Sequence, residues 1–236
     1  MMPSPAAESG TKVWNLLPAL SAPMPLQMAI DEILFRSGAG PVLRFYFSSE
    51  PWVTVGYSYR GDIPDNVPAC RRITGGGRVD HGRDLVFSLV ASKGDDESFS
   101  SVRLSYWKIH EAVKAALESY GRQVRFYRCD ENLPRGGDCF QFPIATDLAA
   151  DGRKVAGGAQ KRSGPALLHQ ESVRIPDGMD AAKFAARMTR SFADTFKVRV
   201  LKSELDPELL TQARRLAEEK YSPLPLEGEG RVRVKV

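Results

Sequence analysis

The chain has 236 residues, 42% hydrophobic and 26% charged, enough to bury one sizeable core. Its net charge of +4 is scattered among 29 acidic residues rather than gathered in a run, which argues against a nucleic-acid partner. No apolar run approaches the roughly 18 residues of a membrane span, and three cysteines without a C-x-x-C pair (Cys70, Cys129, Cys139) fit reduced thiols, so a soluble cytoplasmic protein with no membrane partner is expected.

In chain order, residues 1–12 are small and polar and are expected to form a disordered arm. Val13 to Leu17 reads as a strand, after which Pro18, Pro23 and Pro25 punctuate the chain. Leu26 to Phe35 sets apolar residues at helical spacing, ended by Gly38 and Gly40. Val42–Phe47 and Trp52–Val55 read as a hairpin or as adjacent strands. Leu85–Val90 is a short buried-type strand, which leaves Gly75-Gly76-Gly77 on a connection between β elements. Tyr106, Ile109, Val113, Ala116, Leu117 and Tyr120 mark a helix from Val102, closed by Gly121. A strand is expected at Val124–Tyr127, then a loop at Asp130–Asp138. Asp151-Gly152 is a two-residue hairpin signal, followed by an expected second glycine turn at Gly157-Gly158-Ala159 and a strand at Leu167–Val173. Helices are expected from Asp180 to Phe196 and from Pro207 to Lys220. The reading is one domain over residues 13–222 with a mobile tail at 223–236.

Several chemistries find no support. No G-x-x-x-x-G-K-[ST] can be laid over the glycines, and Asp80 stands where a dinucleotide fingerprint needs its third glycine. His81, His110 and His169 have no metal-ligand spacing, so no metal site is indicated, and His110 reads as a surface or internally satisfied side chain. A G-x-S-x-G elbow is missing. What remains is two glycine-bearing segments with cations beside them, Arg71-Arg72 and Lys154, and a cysteine at a loop edge, Cys139. Backbone N–H groups in glycine turns together with cations suit a phosphate, a carboxylate or a developing oxyanion. Taken singly, the glycines also read as a tight connection, Lys154 as a strand-edge lysine and Cys139 as a buried small hydrophobe.

Arg71-Arg72-Ile73-Thr74-Gly75-Gly76-Gly77 with His81 resembles a block of the lipoate-protein ligase and octanoyltransferase family, which is related to biotin-protein ligases. Met28-Ala29-Ile30-Asp31-Glu32, the stretch from Gly152 to Arg162, and Leu168-His169 resemble three further blocks in the same order. The resemblance implies an α+β fold, a mixed and mostly antiparallel sheet packed with helices, around a pocket for a medium-chain acyl group. It implies transfer of an octanoyl or lipoyl group to a lysine of a lipoyl carrier domain. By the same resemblance Lys154 holds the carbonyl or phosphate oxygen, and Gly75, Gly76 and Gly77 line the acyl site. Arg71, Arg72, His81 and His169 bind substrate, while Gly157, Gly158 and Ala159 close the opposite wall. Cys139-Phe140 stands where thiol-based members carry their nucleophile. This favours an octanoyltransferase with a Cys139 thioester and Lys154 beside it, taking its chain from an acyl carrier protein with no tightly bound cofactor. The alternatives are an ATP- and Mg-dependent lipoate ligase acting through an acyl-adenylate, and a non-catalytic acyl-binding protein. Arg78 and Asp80 depart from the family pattern and imply a more polar pocket.

Overall fold

The computed structural model of the chain describes residues 11–127 and 146–224. Most of the expected arm and tail, the Asp130–Asp138 loop, Cys129 and Cys139 lie outside the described residues.

Strand β1 (Val13–Ala22) leads into helix α1 (Met24–Ser37), which closes on Gly38 in the left-handed conformation at φ 66°, the usual use of a glycine at a helix end. Contrary to expectation β1 continues past Pro18. A proline lacks the N–H the ladder needs, and the break stays local: the register against β2 (Val42–Ser48) shifts between Leu17 and Leu20. Strands β3 (Trp52–Val55), β4 (Ala69–Arg71) and β5 (Arg78–His81) follow, then the long buried β6 (Asp84–Ser92). Helix α2 (Val102–Glu118) is capped by the Ser101 hydroxyl. The short β7 (Arg125–Phe126) precedes β8 (Leu148–Ala150), β9 (Arg153–Ser163) and β10 (Ala166–Arg174). The chain ends in α3 (Ala181–Phe196), β11 (Arg199–Lys202) and α4 (Pro207–Lys220). Between β8 and β9, Asp151 and Gly152 both take positive φ, 51° and 72°, as a two-residue hairpin of the expected kind requires.

Among the described residues the main sheet has the order β11-β1-β2-β6-β10-β9-β8-β7, and a smaller one the order β4-β3-β5. β1 pairs in parallel with β11 and β2, and every later pairing in the main sheet is antiparallel. The fold is therefore the expected α+β arrangement with a mixed, mostly antiparallel sheet. The expected β2–β3 hairpin is not formed. Both edges of β2 are taken by β1 and β6, so β3 pairs with β4 and β5 in the second sheet.

Alternation along the strands builds two cores. Leu43, Phe45, Leu85, Phe87 and Leu89 face α2 and α3, with Trp14 packed against Phe196. Val42, Tyr46, Val86, Val90 and Leu168 face α1 and α4. Each such buried side chain contributes about 1.5–3 kcal/mol over its exposed state. On the α1 side the fully buried Asp31 carboxylate accepts from Arg44 (2.5 Å), Ser88 (2.6 Å), Tyr46 (2.9 Å) and Gln170 (2.7 Å). Its lone pairs are satisfied, so a charge in the core is tolerated. Glu32, next along α1, binds Lys220 (2.6 Å) and the Tyr221 hydroxyl, which ties α4 to the same helix.

Candidate active site

The glycine connection between β4 and β5 wraps the end of β3. Arg72, 6% exposed, reaches under it: its guanidinium donates to the carbonyls of Gly75 (2.8 Å) and Gly77 (2.9 Å) and to the Thr54 carbonyl (3.1 Å) and hydroxyl (3.2 Å). The Gly56 N–H donates to Gly77 O at 3.2 Å. A Cβ on Gly56 would sit 2.0 Å from the Gly76 carbonyl oxygen, so only glycine admits the loop here. Because the obstacle is backbone, Gly56→Ala is expected to lower the melting temperature by 5 °C or more, on the order of 1–3 kcal/mol; an unchanged melting curve would contradict the close approach. Arg71 turns away and donates to the carbonyls of Gly56 (2.7 Å) and Tyr59 (3.0 Å). It holds the neighbouring loop and does not line the cleft.

That cleft, about 490 Å³ with its open mouth, has an apolar wall from Met24, Met28, Val79 and Val86, and a polar end from Thr54, Arg72, Gly76, His81, Lys154 and Gln170. Lys154 is 8% exposed, and its Nζ sits 2.7 Å from Asp147 Oδ2. Of the three consecutive glycines Gly76 borders the cleft, with φ 87°. Gly157, Gly158 and Ala159 border it as well. Their conformation differs from expectation, because they form no turn and lie inside β9. A Cβ on Gly157 would fall 2.2 Å from Lys154 Cε, and one on Gly158 would fall 2.5 Å from His169 Nε2. The glycines are there to leave room for neighbouring side chains, a reason that reading for turns misses.

The polar pocket expected from Arg78 and Asp80 is not found. In β5 Val79 and His81 point inward, while Arg78 and the exposed Asp80 pair with each other at 3.4 Å on the outer face. His169 also departs from expectation. It lies on the face of β10 opposite Gln170 and Ser172, fully buried and stacked on Phe87, and backs the wall of the cleft without lining it. Gln170 and Ser172 take the cleft side, which the alternation of Leu167–Val173 could have signalled.

Behind that wall, His110 of α2, His169 and Glu171 converge, although their sequence spacing gives no sign of it. Their ligand atoms lie within 4.8 Å of one another, a set that could take a cation. As arranged they pair with one another through Glu171 Oε2, while Glu171 Oε1 is buried without a hydrogen bond among the described residues. His169 Nε2 donates to Glu171 Oε2 (2.8 Å) and its Nδ1 accepts from Gln160 (3.1 Å). His110 Nδ1 donates to the Thr146 carbonyl, and its Nε2 lies 3.0 Å from Glu171 Oε2, off the hydrogen-bond angle, as an ion-pair contact. His110 is thus buried and paired, not at the surface. Burial opposes its charge, but Glu171, Asp147 and the Thr146 carbonyl outweigh it and raise the imidazole's pKa. For His169 burial wins and the pKa falls. Burial would lift the Glu171 carboxyl; the two histidines instead hold it down at about 2. A carboxylate held below its unfolded value of about 4.5 adds stability above that pH and loses it as pH falls towards about 2. Wild-type melting temperature should therefore drop steeply between pH 4.5 and 2, and the slope should be shallower in Glu171→Gln. Equal slopes would contradict the pairing.

Cys70 is fully buried, and burial pushes its thiol up to about 12, only partly offset by Arg72. It is no nucleophile. Cys139, the expected one, lies outside the described residues.

A family model described as the lipoyl protein ligase A/B catalytic domain matches residues 23–209. Among curated relatives, the octanoyltransferase LipM of Oceanobacillus iheyensis is 28% identical over 174 residues, covering 69% of this chain and 64% of that protein. The LipM of Bacillus cereus is 30% identical over 190 residues, covering 72% and 68%. The chain thus spans about two thirds of the length of these relatives. Among solved structures, lipoate-protein ligase A bound with ATP aligns with TM-score 0.72 at 22% identity over 89% of this chain and 95% of that one. The bi-partite lipoate protein ligase of Thermoplasma acidophilum, studied with its E2 lipoyl domain, aligns with TM-score 0.67 at 21% identity over 89% and 93%. These likenesses show the shared fold, and with the family model covering residues 23–209, most of the chain, the protein belongs to the lipoyl protein ligase A/B catalytic-domain family.

Proposed function

We propose that this chain is an acyl-transfer enzyme that moves a lipoyl or octanoyl group onto a lysine of a lipoyl carrier domain, with residues 13–222 as its catalytic unit. The observation that carries the reading is the cleft itself: its lining joins the apolar Met24, Met28, Val79 and Val86 with two cations, Lys154 from β9 of the main sheet and Arg72 from beside β4 of the smaller one. An apolar slot suits the chain, and an ammonium fixed by Asp147 suits the oxygen on which charge develops. The working protein is taken to be cytoplasmic; no helix among the described residues is long and apolar enough to cross a membrane.

Two routes to the activated acyl group have separate support. The shape likeness to a ligase bound with ATP, over 89% of the chain, supports an acyl-adenylate made from ATP with Mg. The names of the sequence relatives, octanoyltransferases, support octanoyl transfer, for which the resemblance at Cys139-Phe140 implies a thioester charged by an acyl carrier protein. Intact-mass spectrometry after incubation with each donor separates them. Acyl mass on Cys139, lost in Cys139→Ser, supports the thioester. Acceptor modification needing only ATP and free lipoate, at full rate in Cys139→Ser, supports the ligase. No acceptor modification with either donor would contradict the proposal.

A further inference from the structure

Amide formation on a carrier lysine requires the attacking amine to lose a proton, and the cleft must supply a group to take it. The described lining residues narrow the choice. Arg72 is a permanent cation, Lys154 is ion-paired to Asp147, Tyr46 donates its hydroxyl hydrogen to Asp31, and Glu171 is already engaged by two histidines. Imidazole is the side chain best suited to accept a proton near neutral pH, and His81 lines the same cleft.

Its hydrogen bonds fix its tautomer. Asp84 accepts at Oδ2 from Ser172 Oγ (2.6 Å) and at Oδ1 from the Gly82 N–H (3.2 Å). Burial favours the neutral acid, yet His81 and these donors outweigh it and lower the Asp84 pKa. An ionised Asp84 can only accept, so His81 Nδ1 carries the hydrogen it shares with Asp84 Oδ2 at 2.8 Å. His81 Nε2 then presents a lone pair, and it accepts from the Thr54 hydroxyl at 2.8 Å. Thr54 Oγ1 in turn accepts from Arg72 at 3.2 Å and borders the cleft. His81 also borders a second, outer hollow formed with Pro51, Gly82, Arg83 and Arg174, so the chain Thr54–His81–Asp84 runs from the acyl cleft towards solvent.

Resting on the acyl-transfer reading above, we propose that Thr54, His81 and Asp84 form a proton relay that deprotonates the attacking lysine. The amine nitrogen bonds to the acyl carbon, and its proton passes to Thr54 Oγ1 as the threonine's own proton moves to His81 Nε2. The resulting imidazolium is held by Asp84. When the carbonyl re-forms, the bond to the leaving thiolate or adenylate phosphate breaks with its electron pair, and His81 releases its proton to that group or to water. Thr54 and His81 handle the proton in transit, and Asp84 is a positioning residue.

The test is single-turnover transfer to a lipoyl domain from whichever donor the wild type uses, octanoyl-acyl carrier protein or ATP with lipoate. The charged groups around His81 are Arg72, Lys154 and Glu171 in the lining of the cleft and Asp80, Arg83, Asp84 and Arg174 around the hollow. The pH profile is therefore read as the difference between wild type and His81→Asn. Thr54→Val and His81→Asn are each expected to lower kcat about 100-fold, with KM for the acceptor within about threefold and the acidic limb of the profile lost in His81→Asn. Thr54→Ser should regain about tenfold of the Thr54→Val loss, and imidazole should partly restore His81→Ala. A folded Thr54→Val or His81→Asn with wild-type kcat and pH profile overturns the relay while leaving the acyl-transfer reading in place. If the His81 variants fail to fold, the Thr54 pair decides. A wild type that modifies no acceptor overturns both.

Discussion

Lys154→Ala is expected to lose transfer by about 10²- to 10³-fold, the usual effect of removing one donor from a site of developing negative charge. The structure adds a second consequence. Lys154 is paired at 2.7 Å with Asp147, itself 2% exposed, so the alanine removes an ion-pair partner from a buried carboxylate. Breaking such a pair from one side costs about 3–5 kcal/mol, visible as a fall in melting temperature. Asp147→Ala combined with Lys154→Ala removes both members of the pair and should recover part of that stability while transfer stays lost. A double variant that recovers both would mean that Lys154 acts only through the fold.

Gly157→Ala is expected to separate the two effects: transfer falls about 100-fold while stability falls by less than in Lys154→Ala, because the pair is displaced and not removed. The added methyl meets Lys154 Cε at 2.2 Å, Lys154 Nζ at 2.3 Å and Asp147 Oδ1 at 2.8 Å. Those atoms end flexible side chains, so the ammonium moves aside and the strand stays put. A displacement near 1 Å at a catalytic group is enough for a loss of that size. Gly56→Ala, whose methyl meets backbone, should show the opposite balance. Equal losses of stability in the two variants, measured by thermal melting beside single-turnover rates, would contradict this distinction.

Much of the fold is legible because local signals agree with tertiary demands. The period of α2, the proline opening α4 and the Asp151-Gly152 turn all act within a few residues of their cause. Where the sequence misleads, the cause lies elsewhere in the chain. Pro18 stays in a strand because β1 pairs with β2 on both sides of it, at Asn15–Leu17 and again at Leu20–Ala22. Gly157 and Gly158 read as turn residues because the side chains they make way for, Lys154 and His169, are identified only by the folded sheet. The same holds at the site. The Arg72 and Lys154 segments carry the motifs, and both reach the cleft. The inward side of β5 is set by its pairing with β3, which puts Val79 and His81 inside and turns Arg78 and Asp80 out. His110 and Glu171 lie 61 positions apart in sequence and meet only because α2 packs on β10.

Under the proposed function, the cleft between Gly76 and Lys154 delivers a medium-chain acyl group to a carrier lysine. The most direct test is the intact mass of a lipoyl domain incubated with the full chain and each donor in turn, octanoyl-acyl carrier protein or ATP with lipoate. The expected result is the gain of one octanoyl or lipoyl group on a single lysine, absent with Lys154→Ala. An unmodified domain with both donors, or full modification by a folded Lys154→Ala, would contradict it.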